Sequence, residues 1–181
     1  SNVNLNLGSV LVGAPVPGAQ NVNLTKTGLD GTYYEVTPSG AATSSVTGRY
    51  NAFPVLTSGT SSRSISVGLN TSTTTAGLRS EAVTINNLDI TTAGGAGRGA
   101  NDGNDTINLA LNVLDHANPS FSLVSDANSL VYDFGTVLLG SASPSFGFSL
   151  ANLVATTGFT AGLDLDSVLG SGDVGALTTD L

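Results

Sequence analysis

The sequence predicts an all-β chain in which one complete sandwich is followed by the start of a second, similar one. Three observations carry this reading. A strand-and-turn phrase occurs twice, as Leu5-Asn-Leu-Gly-Ser-Val-Leu-Val-Gly13 and as Tyr132-Asp-Phe-Gly-Thr-Val-Leu-Leu-Gly140, and self-similarity of this kind marks an array of domains. Apolar residues alternate in short runs separated by turn formers, with no sustained 3.6-residue period between caps. The composition is rich in Ser, Thr, Asn and Val, with 23 Gly, 40% hydrophobic and only 10% charged residues, which suits short strands and lacks the Ala, Leu, Glu and Lys content of helices.

The strands follow in order. Val3, Leu5 and Leu7 alternate, and Val10 to Val12 continue the run after Gly8. Val22 and Leu24 alternate before Thr27-Gly28, and Tyr34 and Val36 follow Asp30-Gly31, a strong hairpin dipeptide. From Thr43 to Leu56 the pattern is weaker: Val46, Tyr50, Phe53 and Val55 are interrupted by Pro54, as in an edge strand or a loop that switches sheets. Ile65, Val67 and Leu69 give the clearest alternation. Val83, Ile85, Leu88 and Ile90 give another, with a phase slip at Asn86-Asn87 that reads as a bulge. Ile107, Leu109, Leu111 and Val113 complete the set.

Roughly seven or eight strands in about 115 residues is the size of one immunoglobulin-like Greek-key sandwich. The expected organisation is therefore a sandwich over residues 1–114, a link over 115–129, and a partial second sandwich over 130–181. Pro119 lacks a donor and pushes Asn118 to an extended conformation, which suits the link. Beyond it, Leu130 to Phe134 restart the repeat, Phe146, Phe148 and Leu150 match the Val22/Leu24 strand, and Phe159 to Leu165 give one more strand. About half a sandwich leaves an apolar face and a sheet edge unsatisfied. Either the second domain is cut short or strands of another chain complete it by β-augmentation.

The 181-residue chain has no Met, Cys or Trp. The missing Met fits a piece of a longer protein, and the missing Cys excludes disulfides and thiolate zinc sites. No run approaches the roughly 18 apolar residues of a membrane span. The net charge is −8, and it is unevenly placed: all five basic residues lie in the first 98 positions beside four acids, and the remainder holds nine acids and no base. Such a field repels phosphate backbones, so nucleic acid is not an expected partner. Low Lys with abundant Asp, Ser, Thr and Asn suits an extracellular, calcium-containing milieu.

The run Val113-Leu-Asp-His-Ala-Asn-Pro-Ser-Phe121, followed by the Tyr132–Gly140 phrase, resembles bacterial secreted proteins with "choice-of-anchor D" domains. These are similar in turn to Hydin-type immunoglobulin-like sandwiches, in which a hydrophobic-x-Phe-Gly-x-Val-x-x-Gly strand opens each domain. The resemblance implies an exported, surface-anchored or matrix protein built of β-domains, located outside the cell or on its surface. It supplies no catalytic residues.

The sharpest local candidate for chemistry is the glycine-rich run Gly94 to Ile107. Its piece Gly103-Asn-Asp-Thr-Ile107 resembles the second half of a calcium-binding nonapeptide repeat, and Asn101, Asp102, Asn104 and Asp105 offer oxygen donors for a hard cation. The alternative is a glycine loop whose Asn and Asp residues make turns before the Ile107 strand. Asp164, Asp166 and Asp173 form a second acidic group, in which Asp164 and Asp166 project from one side of a strand, either to share a cation or as a solvated face.

His116 is the only histidine, and no Gly-x-Ser-x-Gly elbow accompanies it. Lys26, in register with Val22 and Leu24, approaches the sandwich interior, either as a snorkelling Lys or as one bonded covalently to Asn with help from Glu35 or Asp30. The adjacent Tyr33 and Tyr34 must face opposite sides of a strand, so one packs the core and the other is placed to stack on a sugar ring or to decorate the surface.

These readings converge on a non-enzymatic structural or adhesive module that joins protein partners, itself included, through strand edges. A carbohydrate-binding module that takes a surface glycan on Tyr33 or Tyr34 is the alternative. No cofactor is expected apart from calcium at the Asn101–Asp105 run.

Overall fold

The strand from Asp105 to Leu114 shows how the alternation is used. Ile107, Leu109, Leu111 and Val113 are at most 2% exposed, while Thr106, Asn108, Ala110 and Asn112 take the opposite face, as the two-residue period of a strand requires. Full burial of each apolar side chain contributes about 1.5–3 kcal/mol. This strand therefore anchors the fold around it.

The computed structural model describes residues 1–27, 32–53, 59–89 and 104–172. The chain is all-β, with no helix among the described residues. Its elements are β1 (Asn2–Leu11), β2 (Gln20–Lys26), β3 (Thr32–Pro38), β4 (Ala42–Ser44), β5 (Gly48–Ala52), β6 (Ser61–Leu69), β7 (Gly77–Asp89), β8 (Asp105–Leu114), β9 (Pro119–Ser120) and β10 (Ala151–Asn152). Two compact units divide it, Ser1–Asp115 and His116–Leu181.

In the first unit a five-stranded sheet, in the order β1-β8-β7-β3-β5, and a three-stranded sheet, in the order β2-β6-β4, share one core. Leu7 of β1, Tyr34 and Val36 of β3 and Val83 and Ile85 of β7 join the β8 residues from one sheet, and Ile65, Val67 and Leu69 of β6 join from the other. Most neighbouring strands are antiparallel, but β1 runs parallel to β8, from Asn2 opposite Thr106 to Leu11 opposite Leu114. Their register shifts between Asn6 and Ser9. Gly8 sits in that shift at φ 90°, where a side chain is strained.

Several local expectations are corrected. β2 pairs with β6 and β3 with β5 and β7, so β2 and β3 lie in different sheets and are not the two arms of a hairpin. Val22 and Leu24 belong to one wall of the core and Tyr34 and Val36 to the other, and a hairpin would put all four on one wall. Asp30-Gly31 itself lies outside the described residues.

The expected bulge at Asn86-Asn87 is absent from the β3/β7 pairing, which runs without a shift from Thr32 opposite Asp89 to Pro38 opposite Val83. Leu88 instead takes the other face from Val83 and Ile85, opposite Tyr33, and is buried outside the common core. The weak stretch after Thr43 does switch sheets. β4 joins the three-stranded sheet, whereas β5 forms the edge of the five-stranded one.

The second unit is organised by polar groups. Ser120 is fully buried in β9, which pairs antiparallel with β10. Its Oγ donates to the Ser125 carbonyl at 2.9 Å and accepts from the amides of Ser122 at 3.1 Å and Ala127 at 3.0 Å. The Asn152 side chain joins two segments: its Oδ1 accepts from the Asn118 amide at 2.9 Å and its Nδ2 donates to the Ala161 carbonyl at 2.8 Å. Residues 118–127, expected to be part of a plain link, are thus tied into this unit.

The stretches expected as strands around Phe146, Phe148 and Phe159–Leu165 lie outside the ten strands. An alternating sequence becomes a stable strand only with a ladder partner and a face to cover.

Candidate strand-acceptor segment

The two copies of the repeated phrase adopt the same local backbone. Gly8 and Gly135 both have positive φ, 90° and 67°, as do Gly13 and Gly140, 81° and 83°. In the first copy the Gly8 amide donates to Asn6 Oδ1 at 2.8 Å, and in the second the Gly135 amide donates to Asp133 Oδ1 at 2.8 Å. The closing turn is repeated too. The Ala14 amide donates to the Leu11 carbonyl at 3.0 Å, and the Ser141 amide to the Leu138 carbonyl at 3.1 Å. Asn and Asp are interchangeable as acceptors in such turns, and glycine supplies the left-handed conformation in both copies.

Their surroundings differ. In the first copy, Leu7 is 6% exposed and Leu5, Val10 and Val12 pack against the core. The corresponding Phe134, Tyr132, Val137 and Leu139 are 45%, 50%, 48% and 106% exposed. The rings partly shelter one another: Tyr132 stacks on Phe146 with centroids 3.8 Å apart, and Phe134 meets Tyr132 edge-on at 5.0 Å. What β1 has and Tyr132–Gly140 lacks, among the described residues, is a neighbouring strand.

The residues singled out for calcium are only partly placed. Asn101 and Asp102 lie outside the described residues. Asn104 is exposed, and Asp105 opens β8. The Asp105 carboxylate accepts hydrogen bonds from the N-terminal amine and, at 2.9 Å, from Ser1 Oγ. The bond from the amine holds its pKa below the ordinary 3.8; desolvation works against this, while the Ser1 hydroxyl and the amine's charge act with it.

A cleft of about 160 Å³ that Asp105 helps to line has mixed walls, with Asn23, Thr25 and Thr106 beside Val3, Leu24 and Phe53. No group of three or more His, Asp or Glu able to hold a metal occurs among the described residues. Asp164 and Asp166 are exposed and outside any strand, and Asp173 lies outside the described residues.

The other singled-out residues take ordinary places. His116 is exposed. Lys26 is buried at the end of β2, opposite Ser61 in β6. Tyr34 is buried against Phe53 with ring centroids 4.9 Å apart, while its neighbour Tyr33 is only half-buried. The sequence marked the segment around Tyr132 as a repeat with an unsatisfied apolar face, but gave no sign that Tyr132, Phe134 and Phe146 group together.

No protein-family model and no curated protein matches the chain. Among solved structures, it is similar to the crystal structure of the CupB6 tip adhesin from Pseudomonas aeruginosa, with a TM-score of 0.41 and 10% sequence identity. That match takes in 64% of this chain and 41% of the adhesin chain, so the chain spans less than half of that protein's length.

Proposed function

We propose that the chain is a non-enzymatic structural or adhesive module of an exported bacterial surface or matrix protein, of the kind its repeated phrase resembles, and that it assembles through β-strand edges. One observation carries this reading. The Tyr132–Gly140 phrase has the turns and glycine conformations of β1 yet presents its apolar side chains to solvent. A segment with the turns of a strand-opening phrase and its apolar residues uncovered is a site for strand addition. The first unit serves as the rigid part, since its core draws on both sheets.

Light scattering on the purified chain over a wide concentration range tests the reading. Reversible, concentration-dependent association that is abolished by Val137→Lys is the expected result. A strict monomer at every concentration, with no binding of an apolar dye, overturns it.

A further inference from the structure

We infer that the outer edge of β1 is a self-pairing edge, which adds the β1 strand of a second copy, antiparallel to it across a two-fold axis at Asn4. This deepens the assembly role proposed above, on which it rests, by naming a sheet edge, a partner and a register.

The first unit has four sheet edges: β1 and β5 bound one sheet, and β2 and β4 the other. Three of them carry devices that keep an edge from pairing. β4 is only three residues long. β5 is five residues long, holds Arg49 and joins β3 through a register shift. β2 ends in Lys26, which is turned inward and buried. β1, in contrast, is ten residues long and holds no charged residue and no proline. Its register shift lies beyond Asn6, so Asn2 to Asn6 run against β8 without a break.

The backbone of β1 spends one side on β8. The Ser1 carbonyl accepts from the Thr106 amide at 3.0 Å, and main-chain groups alternate in direction along a strand, so those of Ser1, Val3 and Leu5 serve the β8 ladder. Those of Asn2, Asn4 and Asn6 face the outer edge, where no strand lies alongside among the described residues.

The edge itself selects the occupant. Asn2-Val-Asn-Leu-Asn6 has the same pattern in both directions about Asn4, and self-complementarity is what an isologous two-fold contact requires. With Asn4 on the axis, the two Asn4 residues form one hydrogen-bonded pair, and Asn2 with Asn6 forms two more. Val3 then falls opposite Leu5 of the second copy, at the position where cross-strand side chains come closest. Val3 is 41% exposed, and this pairing gives it a neighbour at the edge. On the other face Asn4 Oδ1 already accepts from Asn108 Nδ2 at 2.8 Å. The two-fold extends that bond into a row of four amides, two from each copy.

Charge does not oppose the contact. The first unit holds seven acids and five bases, and none of them is in β1. A five-residue ladder buries far less than the roughly 800 Å² that each partner of a stable interface covers. Pairing at β1 is therefore transient between free chains and holds where association through 132–140 keeps chains close.

The chain has no Cys, so one introduced thiol reports one contact. Full chains carrying Asn4→Cys or, as a control, Ser80→Cys at an exposed site on β7 are treated with a mild oxidant at a concentration where light scattering shows association. The Cα atoms of a hydrogen-bonded antiparallel pair lie about 5.5 Å apart, within reach of a disulfide. Disulfide-linked dimer is expected to form at least tenfold faster with Asn4→Cys than with Ser80→Cys. Adding Val3→Lys, which gives β1 the inward charge that guards β2, is expected to bring the Asn4→Cys rate down to that of the control. Without any cysteine, Val3→Lys is expected to lower the scattering mass of the associated chain at least twofold.

Equal rates for the two thiols overturn the inference, and association that Val137→Lys still abolishes then leaves the assembly role standing. An unchanged scattering mass with Val3→Lys overturns it as well. A strict monomer at every concentration overturns both.

Discussion

β1 and the Tyr132–Gly140 segment are nearly the same sentence written in two settings. Their glycines share the left-handed conformation, and their Asx turns and closing turns match bond for bond. Yet Leu7 is buried and Phe134 is almost half exposed. Local sequence is enough to set φ at a glycine and to close a turn, because those interactions span two or three residues. Burial depends on partners distant in the chain, and for β1 these are the β8 ladder and the residues of the facing sheet that share its core. A strand is stable only with such partners.

Paired substitutions put numbers on this contrast. The largest difference is expected between Leu7→Ala and Phe134→Ala. Truncating the buried leucine is expected to cost about 2–5 kcal/mol in denaturant unfolding of the first unit. Truncating the exposed phenylalanine is expected to cost less than about 1 kcal/mol. Equal losses break the contrast.

Gly8→Ala and Gly135→Ala come next. A Cβ at Gly8 meets nothing within 4 Å, so only the positive φ resists it, at roughly 1–2 kcal/mol. A Cβ at Gly135 is equally free, and Gly135→Ala is expected to leave the unfolding midpoint of the first unit unchanged. Asn6→Ala, which removes one exposed Asx bond, is expected to cost about 0.5 kcal/mol in the same assay.

The smallest effect concerns the tether that joins the first residue of the chain to β8. Asp105 has its pKa lowered in the folded chain, so its contribution to stability is present above the ordinary 3.8 and is lost as pH falls through the lower folded value. Its side chain is 39% exposed, so solvent screening keeps that contribution small. A carbon-detected NMR titration is expected to place the Asp105 midpoint below 3.8. Acetylating the N-terminal amine is expected to move it back up. An unchanged midpoint after acetylation removes the amine as the cause.

The faces of the strands were largely legible in the sequence. Ile65, Val67 and Leu69, and Ile107 through Val113, alternate in the chain and line the core in the structure. Partners were not legible, because alternation states which side is apolar and says nothing about which strand lies alongside. That is why β2 and β3 read as a hairpin and turned out to belong to different sheets, and why the parallel β1/β8 pair, formed between distant ends of the first unit, went unanticipated.

Leu88 misled for a related reason. Its burial does not come from the core that holds Ile85, so a bulge was inferred where the strand runs straight. The buried Ser120 and its three hydrogen bonds left no trace in hydropathy. In the candidate site both the repeat and an uncovered apolar face in its second copy were legible, whereas the stacking of Tyr132 on Phe146 was not, because it depends on a turn that alternation does not specify.

Amide hydrogen exchange on the chain, at low concentration and at a concentration where light scattering shows association, tests the central claim most directly. At low concentration, the amides of β1 that face β8 are expected to exchange at the rate of global unfolding and those of 132–140 to exchange fast. In the associated chain, protection is expected to appear in 132–140. Slow exchange of 132–140 at low concentration, or fast exchange in the associated chain, contradicts the account.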